Sequence, residues 1–293
     1  MLPSLRERVL ERLGFSSAPP INLEGLRALY RAWCRHTTFD NLRKMTALRA
    51  APPDAPLPGG TAEDFFEAWL TGGTGGTCWP GSNALFELVY SIGFDAVRAT
   101  AAMRDLGRTT HGSVRVTLDG AHWLIDSSLL TELPVPLTQK VVIERDPVFG
   151  FEIEPDNGTH VLWVSLPTAD ALCCRILEYG VSHGEYLERY EASRGSSPFN
   201  DAIYARRNLP GELLILRGPT RYSKTAEGVK NWELSPAGVC ECLRDEFGFS
   251  GAIVEQWIAA GGLSASFEPF KGPPPPVDVR RPPSQRQAAH PPM

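Results

Sequence analysis

One cysteine in this chain follows a glycine-rich stretch, Thr71-Gly-Gly-Thr-Gly-Gly-Thr-Cys78-Trp79-Pro80. Glycine allows positive φ and close approach of other backbone, so the stretch is predicted to be a shaped loop. An apolar stripe at helical spacing comes next: Leu85, Phe86, Val89 and Ile92. Cys78 is therefore predicted at a helix N-terminus, where free N–H groups and the helix dipole favour a thiolate. The alternative is an ordinary buried thiol, which is the usual state of a free cysteine.

A hairpin farther along supplies two candidate partners for this cysteine. Strand-like runs over residues 111–118 and 121–127 are joined by Asp119-Gly120, a dipeptide typical of two-residue turns. That turn places Leu118 opposite Ala121 and Thr117 opposite His122. It also places Asp126 opposite Ser113, hence diagonal to His111 at a distance that side chains can bridge.

The two faces of this hairpin differ in polarity. Side chains alternate along strands, so one face is wholly apolar and predicts the core side: Val114, Val116, Leu118, Ala121, Trp123 and Ile125. The other face carries the polar residues: His111, Ser113, Arg115, Thr117, His122, Leu124 and Asp126. His122 lies near the turn, at the opposite end of the hairpin from His111 and Asp126.

A cysteine, a histidine and an aspartate are together the components of nucleophilic acyl transfer. The imidazole takes the thiol proton, the carboxylate fixes the imidazole tautomer, and the thiolate attacks a carbonyl to form a thioester. Taken singly, His111 is also compatible with a strand-entry residue and Asp126 with a turn residue. Taken with Cys78, they predict a catalytic triad of Cys78, His111 and Asp126.

Composition narrows the class of protein. The 293 residues are 42% hydrophobic and 22% charged, as in ordinary globular proteins, and the net charge of −5 disfavours nucleic acid as a partner. No apolar run is long enough for a membrane span, and the N-terminus lacks the pattern of a signal peptide, so a cytoplasmic protein is expected. The six cysteines show no metal-ligand spacing and are predicted to be reduced thiols, with no metal bound.

The pattern along the chain predicts four regions. Residues 1–95 are expected to form a helical bundle that carries the Cys78 loop, with helices over residues 3–13, after Asn22 and after Thr61. Residues 96–218 are expected to form an antiparallel β-barrel, with a helical excursion at residues 169–180. Residues 219–266 are expected to form a separate C-terminal region with helices after Ser235 and over residues 252–260, and residues 267–293 a disordered proline-rich tail whose removal should not affect folding.

Several segments resemble the arylamine N-acetyltransferase family, over roughly residues 5 to 255. Thr38-Phe39-Asp40-Asn41-Leu42 is similar to the family's Pro-Phe-Glu-Asn-Leu segment. The other carriers of the resemblance are Gly75-Gly76-Thr77-Cys78, Ile92-Gly93-Phe94, Thr110-His111, Trp123-Leu124-Ile125-Asp126, Ser197-Pro198-Phe199 and the segment from Leu243 to Phe249.

The resemblance implies an α+β fold with a papain-like cysteine core, built from a helical bundle, a β-barrel and a C-terminal α/β lid over residues 219–266. It implies ping-pong transfer of an acetyl group from acetyl-CoA, or of another acyl group from its CoA thioester, through Cys78 to a small aromatic amine or hydrazine. It also implies a substrate and CoA pocket at Phe39, Trp79, Ser127, Ser128 and Leu129.

The chain departs from the family at three places. Thr74 stands where the family has arginine before the two glycines, and Trp79-Pro80-Gly81-Ser82 replaces Phe-Glu-Leu-Asn. Ser127-Ser128-Leu129-Leu130 replaces the glycine-rich Val-Gly-Phe-Gly loop. The residues of the predicted triad are kept, so acyl-thioester chemistry is still expected. The changes leave the acyl donor and the amine acceptor open, and they predict weaker or altered use of CoA.

Three other functions compete with a CoA-dependent acyltransferase. An amide synthase of this fold would take its acyl chain from an acyl carrier protein, which is then a further partner. A transglutaminase-like enzyme or cysteine hydrolase shares the Gly-Thr-Cys-Trp, His and Asp pattern but does not account for Phe39-Asp40-Asn41-Leu42. A degenerate member of the fold would be a non-catalytic binding module with an unreactive Cys78.

Overall fold

Helices dominate the first 95 residues of the computed structural model, which describes residues 1–269 and 280–287. They are α1 (Pro3–Arg12), α2 (Leu23–His36), α3 (Leu42–Ala50), α4 (Ala62–Gly72) and α5 (Cys78–Ile92), with the short strand β1 (Phe39–Asp40) before α3. Asn22 caps α2 as predicted, because its side chain accepts the N–H of Gly25 at 2.9 Å. The α5 helix ends at Gly93, which has a φ of 113° that favours glycine.

An eight-stranded antiparallel sheet follows and curls into a barrel-like shape. Its strands lie in the order β5-β4-β3-β2-β9-β8-β7-β6. They are β2 (Asp95–Met103), β3 (His111–Leu118), β4 (Ala121–Ile125), β5 (Val135–Pro136), β6 (Val142–Glu144), β7 (Phe151–Asp156), β8 (Thr159–Leu166) and β9 (Ala169–Tyr179). The α+β class and the barrel are as predicted.

The predicted register of the β3–β4 hairpin is confirmed. Leu118 pairs with Ala121 and Thr117 with His122, on either side of Asp119 and Gly120, which both have positive φ. The apolar face of the hairpin was expected to be buried and the polar face exposed, but residues on the polar face are also buried. Leu124 on the polar face is fully buried, because elements cover both sides of the sheet at the end away from the turn.

The helix expected at residues 169–180 is wrong. This segment is β9, a central strand paired with β2 on one side and with β8 on the other. The backbone of β9 is therefore hydrogen-bonded to neighbouring strands along both edges. The buried run around Cys174 and Ile176 gave no strand alternation, which is typical of a strand covered on both faces.

A second, five-stranded sheet has the order β1-β10-β11-β12-β13. After α6 (His183–Ala192) come β10 (Tyr204–Leu209), β11 (Glu212–Arg217), β12 (Thr220–Thr225) and β13 (Gly228–Glu233). The region boundary expected at residue 218 thus falls between two hydrogen-bonded strands. β1 pairs with β10, so the segment just before α3 is the edge of this sheet.

Short helices at the C-terminal end pack on this sheet. They are α7 (Pro236–Glu241), a π-helical turn (Cys242–Glu246), α8 (Gly251–Ala259) and α9 (Gly262–Ser266). Ser235 caps α7 and Pro236 occupies its first turn, as the sequence predicted. Leu214 and Leu216 of β11, Leu243 and Trp257 share one buried cluster with Leu42 of α3, which fixes the start of α3 against the sheet.

Residues 280–287 pack against β7, which corrects the expectation that everything after residue 267 is disordered. Arg280 donates to Glu154 and to Asp156, both at 2.8 Å, and the backbone N–H of Ser284 donates to Glu152 at 2.9 Å. These three acids occupy alternate positions of β7 and so lie on one face, where they attract the basic segment. Ser284 lies in the short helix α10 (Pro283–Gln287). The rest of the predicted tail, residues 270–279 and 288–293, lies outside the described residues.

This docking makes a prediction about stability. Arg280→Ala should lower the melting temperature by about 2–4 °C, the effect of losing about 1 kcal/mol from a part-exposed ion-pair network in a chain of this size. Arg281→Ala is the matched control, since the described residues give Arg281 no ion pair. Scanning calorimetry would decide the matter, and equal melting temperatures for both variants and the unmodified protein would contradict it. Removal of residues 270–293 should lower the melting temperature at least as much.

Within the two described ranges, no helix is both long enough and apolar enough to span a bilayer.

Candidate active site

The glycine loop before Cys78 is hydrogen-bonded to β1 and to the residue before it. The backbone N–H of Gly75 donates to the Asp40 carboxylate at 2.7 Å and to the Thr38 hydroxyl at 3.0 Å. The N–H of Asp40 donates to the carbonyl of Gly76 at 3.2 Å. A Cβ at Gly75 would lie 1.8 Å from the Thr38 carbonyl oxygen, so only glycine fits there. The glycine loop is therefore shaped by its contact with the Thr38-Phe39-Asp40 segment.

Asp40, at the end of that segment, and the next residue, Asn41, bind different parts of the structure. Asp40 is 1% exposed, and burial raises the pKa of its carboxyl to about 6, against the hydrogen bonds from Thr38, Gly75 and Leu42. Asn41 accepts the N–H of Tyr204 at 2.8 Å and donates to two carbonyls of the turn before β10. Asp40 thus anchors the glycine loop before Cys78 by accepting the N–H of Gly75.

Cys78 is the first residue of α5, as predicted, and 7% of its surface is exposed. Its Sγ lies 3.9 Å from the carbonyl oxygen of Thr110, the residue before β3. Pro80 occupies the first turn of the helix, where its missing N–H leaves no backbone bond unmade. The start of α5 therefore places the thiol against the first residues of β3.

His111 begins β3 and lies between Cys78 and Asp126. Its Nε2 is 2.7 Å from Oδ2 of Asp126, and both side chains are almost fully buried. The Cys78 side chain is near enough to the same imidazole to help raise its pKa. Because Nε2 is used by the carboxylate, Nδ1 is the ring nitrogen left for the thiol. The structure thus brings together the three residues predicted as the triad.

The charges of this group support one another. Burial alone would lower the pKa of His111, but the charge and hydrogen bond of Asp126 outweigh it, with smaller contributions from Cys78, and the pKa is raised. Burial alone would raise the pKa of Asp126, but the charge and hydrogen bond of His111 and the N–H groups of Leu129 and Ser128 lower it. A protonated imidazole beside an ionised carboxylate is therefore the favoured state.

Asp126 itself is fixed by contacts that no neighbouring sequence pattern indicates. Its Oδ1 accepts the N–H of Leu129 at 2.8 Å and both the N–H and the hydroxyl of Ser128 at 2.9 Å. The hydroxyl of Tyr30, on α2, donates to the Asp126 carbonyl at 2.8 Å and accepts its N–H at 3.1 Å. The carboxylate is consequently locked in rotamer and in backbone position.

A buried arginine completes the support of the loop after Asp126. Arg206 of β10 is 3% exposed and donates to the carbonyls of Ser128 at 3.0 Å and Leu129 at 2.7 Å. Asn208, on the same strand, donates to the carbonyl of Leu130 at 2.8 Å. The sequence reading missed Tyr30, Arg206 and Asn208, because each acts on residues about 80 to 100 positions away.

The residues predicted as pocket walls occupy several different environments. Ser127 is hydrogen-bonded to Ser82 of α5 at 2.9 Å, and Ser128 is used by Asp126. Leu129 is 3% exposed and belongs to the barrel core. Trp79 packs edge-on against Tyr186 of α6, with ring centroids 4.9 Å apart. All four side chains are therefore engaged in packing or hydrogen bonds within the protein.

Phe39, the remaining predicted pocket residue, lies in an aromatic cluster. Its ring packs edge-on against Phe199 at 5.0 Å and against Tyr204 at 5.7 Å between centroids. Phe199 belongs to the Ser197-Pro198-Phe199 segment that the resemblance singled out. In the described part of the chain, no group of three or more His, Cys, Asp and Glu side chains is arranged to hold a metal ion.

Comparison with solved structures decides the fold. The chain superposes on the arylamine N-acetyltransferase of Mycobacterium marinum with a TM-score of 0.78 at 17% identity, covering 89% of this chain and all of that one. It has the fold of the arylamine N-acetyltransferases. The Salmonella typhimurium enzyme gives a TM-score of 0.72 at 17% identity, over 89% of this chain and 100% of that one.

A third similar structure is a complex with CoA. The M. marinum arylamine N-acetyltransferase in complex with CoA superposes with a TM-score of 0.75 at 17% identity, over 87% of this chain and 97% of that one. A scan of family models and a search of curated proteins each found no match to this chain. The arylamine N-acetyltransferase fold is thus kept at a level of identity where most side chains have changed.

Proposed function

We propose that this protein is a divergent arylamine N-acetyltransferase, which moves an acyl group from CoA through a Cys78 thioester to a small amine. The observation that carries the proposal is the contact between His111 and Asp126 at 2.7 Å beside a cysteine at a helix N-terminus. The fold it shares with arylamine N-acetyltransferases, one of them a complex with CoA, supports the donor and the class of acceptor.

The first half-reaction begins from a thiolate paired with the His111 imidazolium. The thiolate of Cys78 attacks the carbonyl carbon of the acyl-CoA thioester and forms a tetrahedral oxyanion. Collapse of the oxyanion breaks the bond between that carbon and the CoA sulfur. The imidazolium gives its proton to the departing sulfur, which leaves CoA as a thiol, neutral His111 and acylated Cys78.

The second half-reaction restores the resting state. The amine nitrogen attacks the acyl-Cys78 carbonyl, and Nδ1 of neutral His111 takes one proton from that nitrogen. Collapse of this second oxyanion breaks the bond to Sγ, releasing the amide and the thiolate. Asp126 holds the imidazole through Nε2 throughout, so that Nδ1 is free to accept and donate the proton.

A carrier-bound acyl chain is the second candidate donor. The loop of residues 127–130, glycine-rich in the family, is here filled by Leu129 and Leu130, which are 3% and 0% exposed. An altered loop favours a donor that is recognised partly outside the pocket, as an acyl carrier protein would be. Both donors present the same phosphopantetheine thioester to Cys78, so the chemistry at the triad is unchanged.

Intact-protein mass spectrometry tests the proposed function directly. Mixing with acetyl-CoA should add the mass of one acetyl group to the protein, and Cys78→Ala should not be modified. Subsequent addition of an aromatic amine should remove the acetyl group and yield the amide. If neither acetyl-CoA nor another acyl-CoA or acyl-carrier thioester modifies Cys78, the proposed function is wrong.

A further inference from the structure

Ser82 is a fully buried serine whose hydroxyl the proposed reaction does not use. It lies in α5, four residues after Cys78, and therefore on the same face of the helix one turn further on. The hydroxyl donates to the carbonyl of Gly112 at 2.7 Å and lies 2.9 Å from the hydroxyl of Ser127. Both partners belong to other parts of the fold, so this side chain joins α5 to β3 and to the turn after β4.

The donors and acceptors of this group can be assigned. A carbonyl oxygen only accepts, so the single hydroxyl proton of Ser82 goes to Gly112. The proton between the two hydroxyls therefore belongs to Ser127, which donates to Ser82. The result is a hydrogen-bonded chain from Ser127 through Ser82 to Gly112, and all three residues are buried.

This chain joins the three segments that carry the predicted triad. Each of its members is close in sequence to one triad residue: Ser82 to Cys78, Gly112 to His111 and Ser127 to Asp126. The last two pairs are adjacent residues, whose Cα atoms are about 3.8 Å apart. A shift of Gly112 or Ser127 consequently moves the neighbouring triad residue with it.

Glycines beside the chain allow the segments to approach closely. A Cβ on Gly81 would lie 2.8 Å from the hydroxyl oxygen of Ser127, and a Cβ on Gly112 would overlap the hydroxyl of Tyr186. A larger residue at either position would push these segments apart. The spacing of α5, β3 and the turn after β4 is thus set by close packing as well as by hydrogen bonds.

We infer that Ser82 is a positioning residue for acyl transfer, which holds the Cys78 helix at the correct distance from His111 and Asp126. This inference rests on the proposed function and adds a residue to it. Ser82 acts through its two partners and takes no part in bond making or breaking. Proton transfer needs its two heavy atoms within hydrogen-bond reach, and a misplacement of about 1 Å can cost about 10²-fold in rate.

Two other tasks for Ser82 make different predictions. If the hydroxyl only stabilised the fold, its removal would lower the melting temperature and leave the reactivity of Cys78 in the folded protein unchanged. If Ser82 accepted the acyl group itself, Cys78→Ala would still gain an acyl group, and peptide mapping would place it on Ser82. Neither outcome is expected, because the hydroxyl is fully buried and bonded to the segments that carry the triad.

Alkylation of Cys78 by iodoacetamide tests the inference without any acyl donor. In Ser82→Ala the rate at about pH 6 should fall by about tenfold, within the range for a misplacement of up to about 1 Å. At about pH 10, above the ordinary thiol pKa of about 8.5, the rate should return to within about threefold of the unmodified protein. A general loosening of the fold would have the opposite effect at pH 6, since exposure of a buried thiol speeds its alkylation.

Ser266→Ala is the matched control. Ser266 is also buried, and its hydroxyl donates to the carbonyl of Gly262 at 2.8 Å and accepts the N–H of Ile203 at 2.9 Å. It makes as many hydrogen bonds as Ser82, but among the helices that pack on the five-stranded sheet. Its removal should lower the melting temperature to a similar extent and leave the pH profile of alkylation unchanged.

Ser127→Ala is the second variant, and it decides the matter should Ser82→Ala fail to fold. It removes the donor to Ser82 and keeps the bond from Ser82 to Gly112, so alkylation at about pH 6 should slow by about threefold, less than in Ser82→Ala. The double variant should be no slower than Ser82→Ala, because Ser127 acts through the Ser82 hydroxyl.

Three results would overturn the inference. They are an unchanged pH profile of alkylation in Ser82→Ala, an unchanged profile in Ser127→Ala where Ser82→Ala does not fold, and the same change of profile in Ser266→Ala. Acylation by acetyl-CoA should slow in Ser82→Ala with an unchanged KM, since Ser82 does not bind the donor. Failure of every acyl donor to modify Cys78 in the unmodified protein refutes the proposed function, and the alkylation profile still decides the task of Ser82.

Discussion

His111→Ala should slow the alkylation of Cys78 by iodoacetamide at about pH 6 by about a hundredfold, whereas His122→Ala should leave it unchanged. Only a small fraction of an ordinary thiol is ionised at that pH, and the thiolate is the nucleophile. In the proposed mechanism the imidazolium of His111, held charged by Asp126, stabilises the thiolate. Removal of the imidazole leaves Cys78 with the helix N-terminus alone.

The two histidines are a matched pair on one hairpin. His111 is buried at the start of β3 next to Asp126, while His122 is exposed beside the turn, with its Nδ1 3.2 Å from the Thr117 hydroxyl. Their substitutions therefore change the same residue type on the same sheet, and only His111 contacts Asp126. Loss of labelling in His122→Ala with normal labelling in His111→Ala would refute the site assignment.

The other cysteines do not obscure this measurement. All six cysteines are buried, and burial raises the pKa of both Cys34 and Cys242 to about 12. Burial also raises the pKa of Cys174 and Cys240. These thiols are inert at pH 6 in the folded protein, and Cys78→Ala shows any remaining background. Circular dichroism on each variant separates a loss of reactivity from a loss of fold.

The sequence was sufficient to predict those parts of the site that depend only on residues adjacent in the chain. The β3–β4 register followed from Asp119-Gly120, and the end of α5 from Gly93, because turns and caps are set by a few adjacent residues. Segments whose environment is set by distant strands were not predictable in this way. β9 read as a helix because a strand covered on both faces loses its alternation, and β12 and β13 carried too few apolar residues to stand out.

Contacts between residues far apart in the chain, such as those that fix Asp126, lie beyond sequence reasoning for the same reason. Tyr30 reads as part of the apolar face of α2, yet its hydroxyl holds the backbone of Asp126. Lys44 reads as one of several charges on α3, and only the packing of Tyr190 and Ser193 against it shows that it is buried. The docking of Arg280 on β7 likewise required the acids of that strand to be placed on one face.

Asp126→Asn should reduce turnover by up to about 10⁴-fold, the loss measured when a catalytic triad keeps its geometry but holds the wrong imidazole tautomer. An asparagine can still accept at Oδ1 from Ser128 and Leu129. Its amide then faces Nε2 of His111 and donates to it, which moves the ring proton to Nδ1. Neutral His111 in that tautomer cannot take a proton from the attacking amine.

The same substitution removes the charge that keeps His111 protonated. Without the carboxylate, burial is the dominant effect on the imidazole and lowers its pKa, so the imidazolium that stabilises the thiolate is lost near neutral pH. Asp126→Asn should therefore slow both half-reactions, and slow alkylation of Cys78 at about pH 6 as well. Stopped-flow measurement of acylation and of amine-dependent deacylation would resolve the two effects.

Asp119→Asn is the control that the chain itself offers. Asp119 lies on the same hairpin, is exposed at the turn with a φ of 50°, and can be replaced by asparagine, which suits this turn equally well. It should retain full turnover and full labelling. If Asp126→Asn retained turnover within about tenfold while remaining folded, the carboxylate would not set the tautomer of His111, and a mechanism in which the imidazole is oriented by packing alone would replace the one proposed.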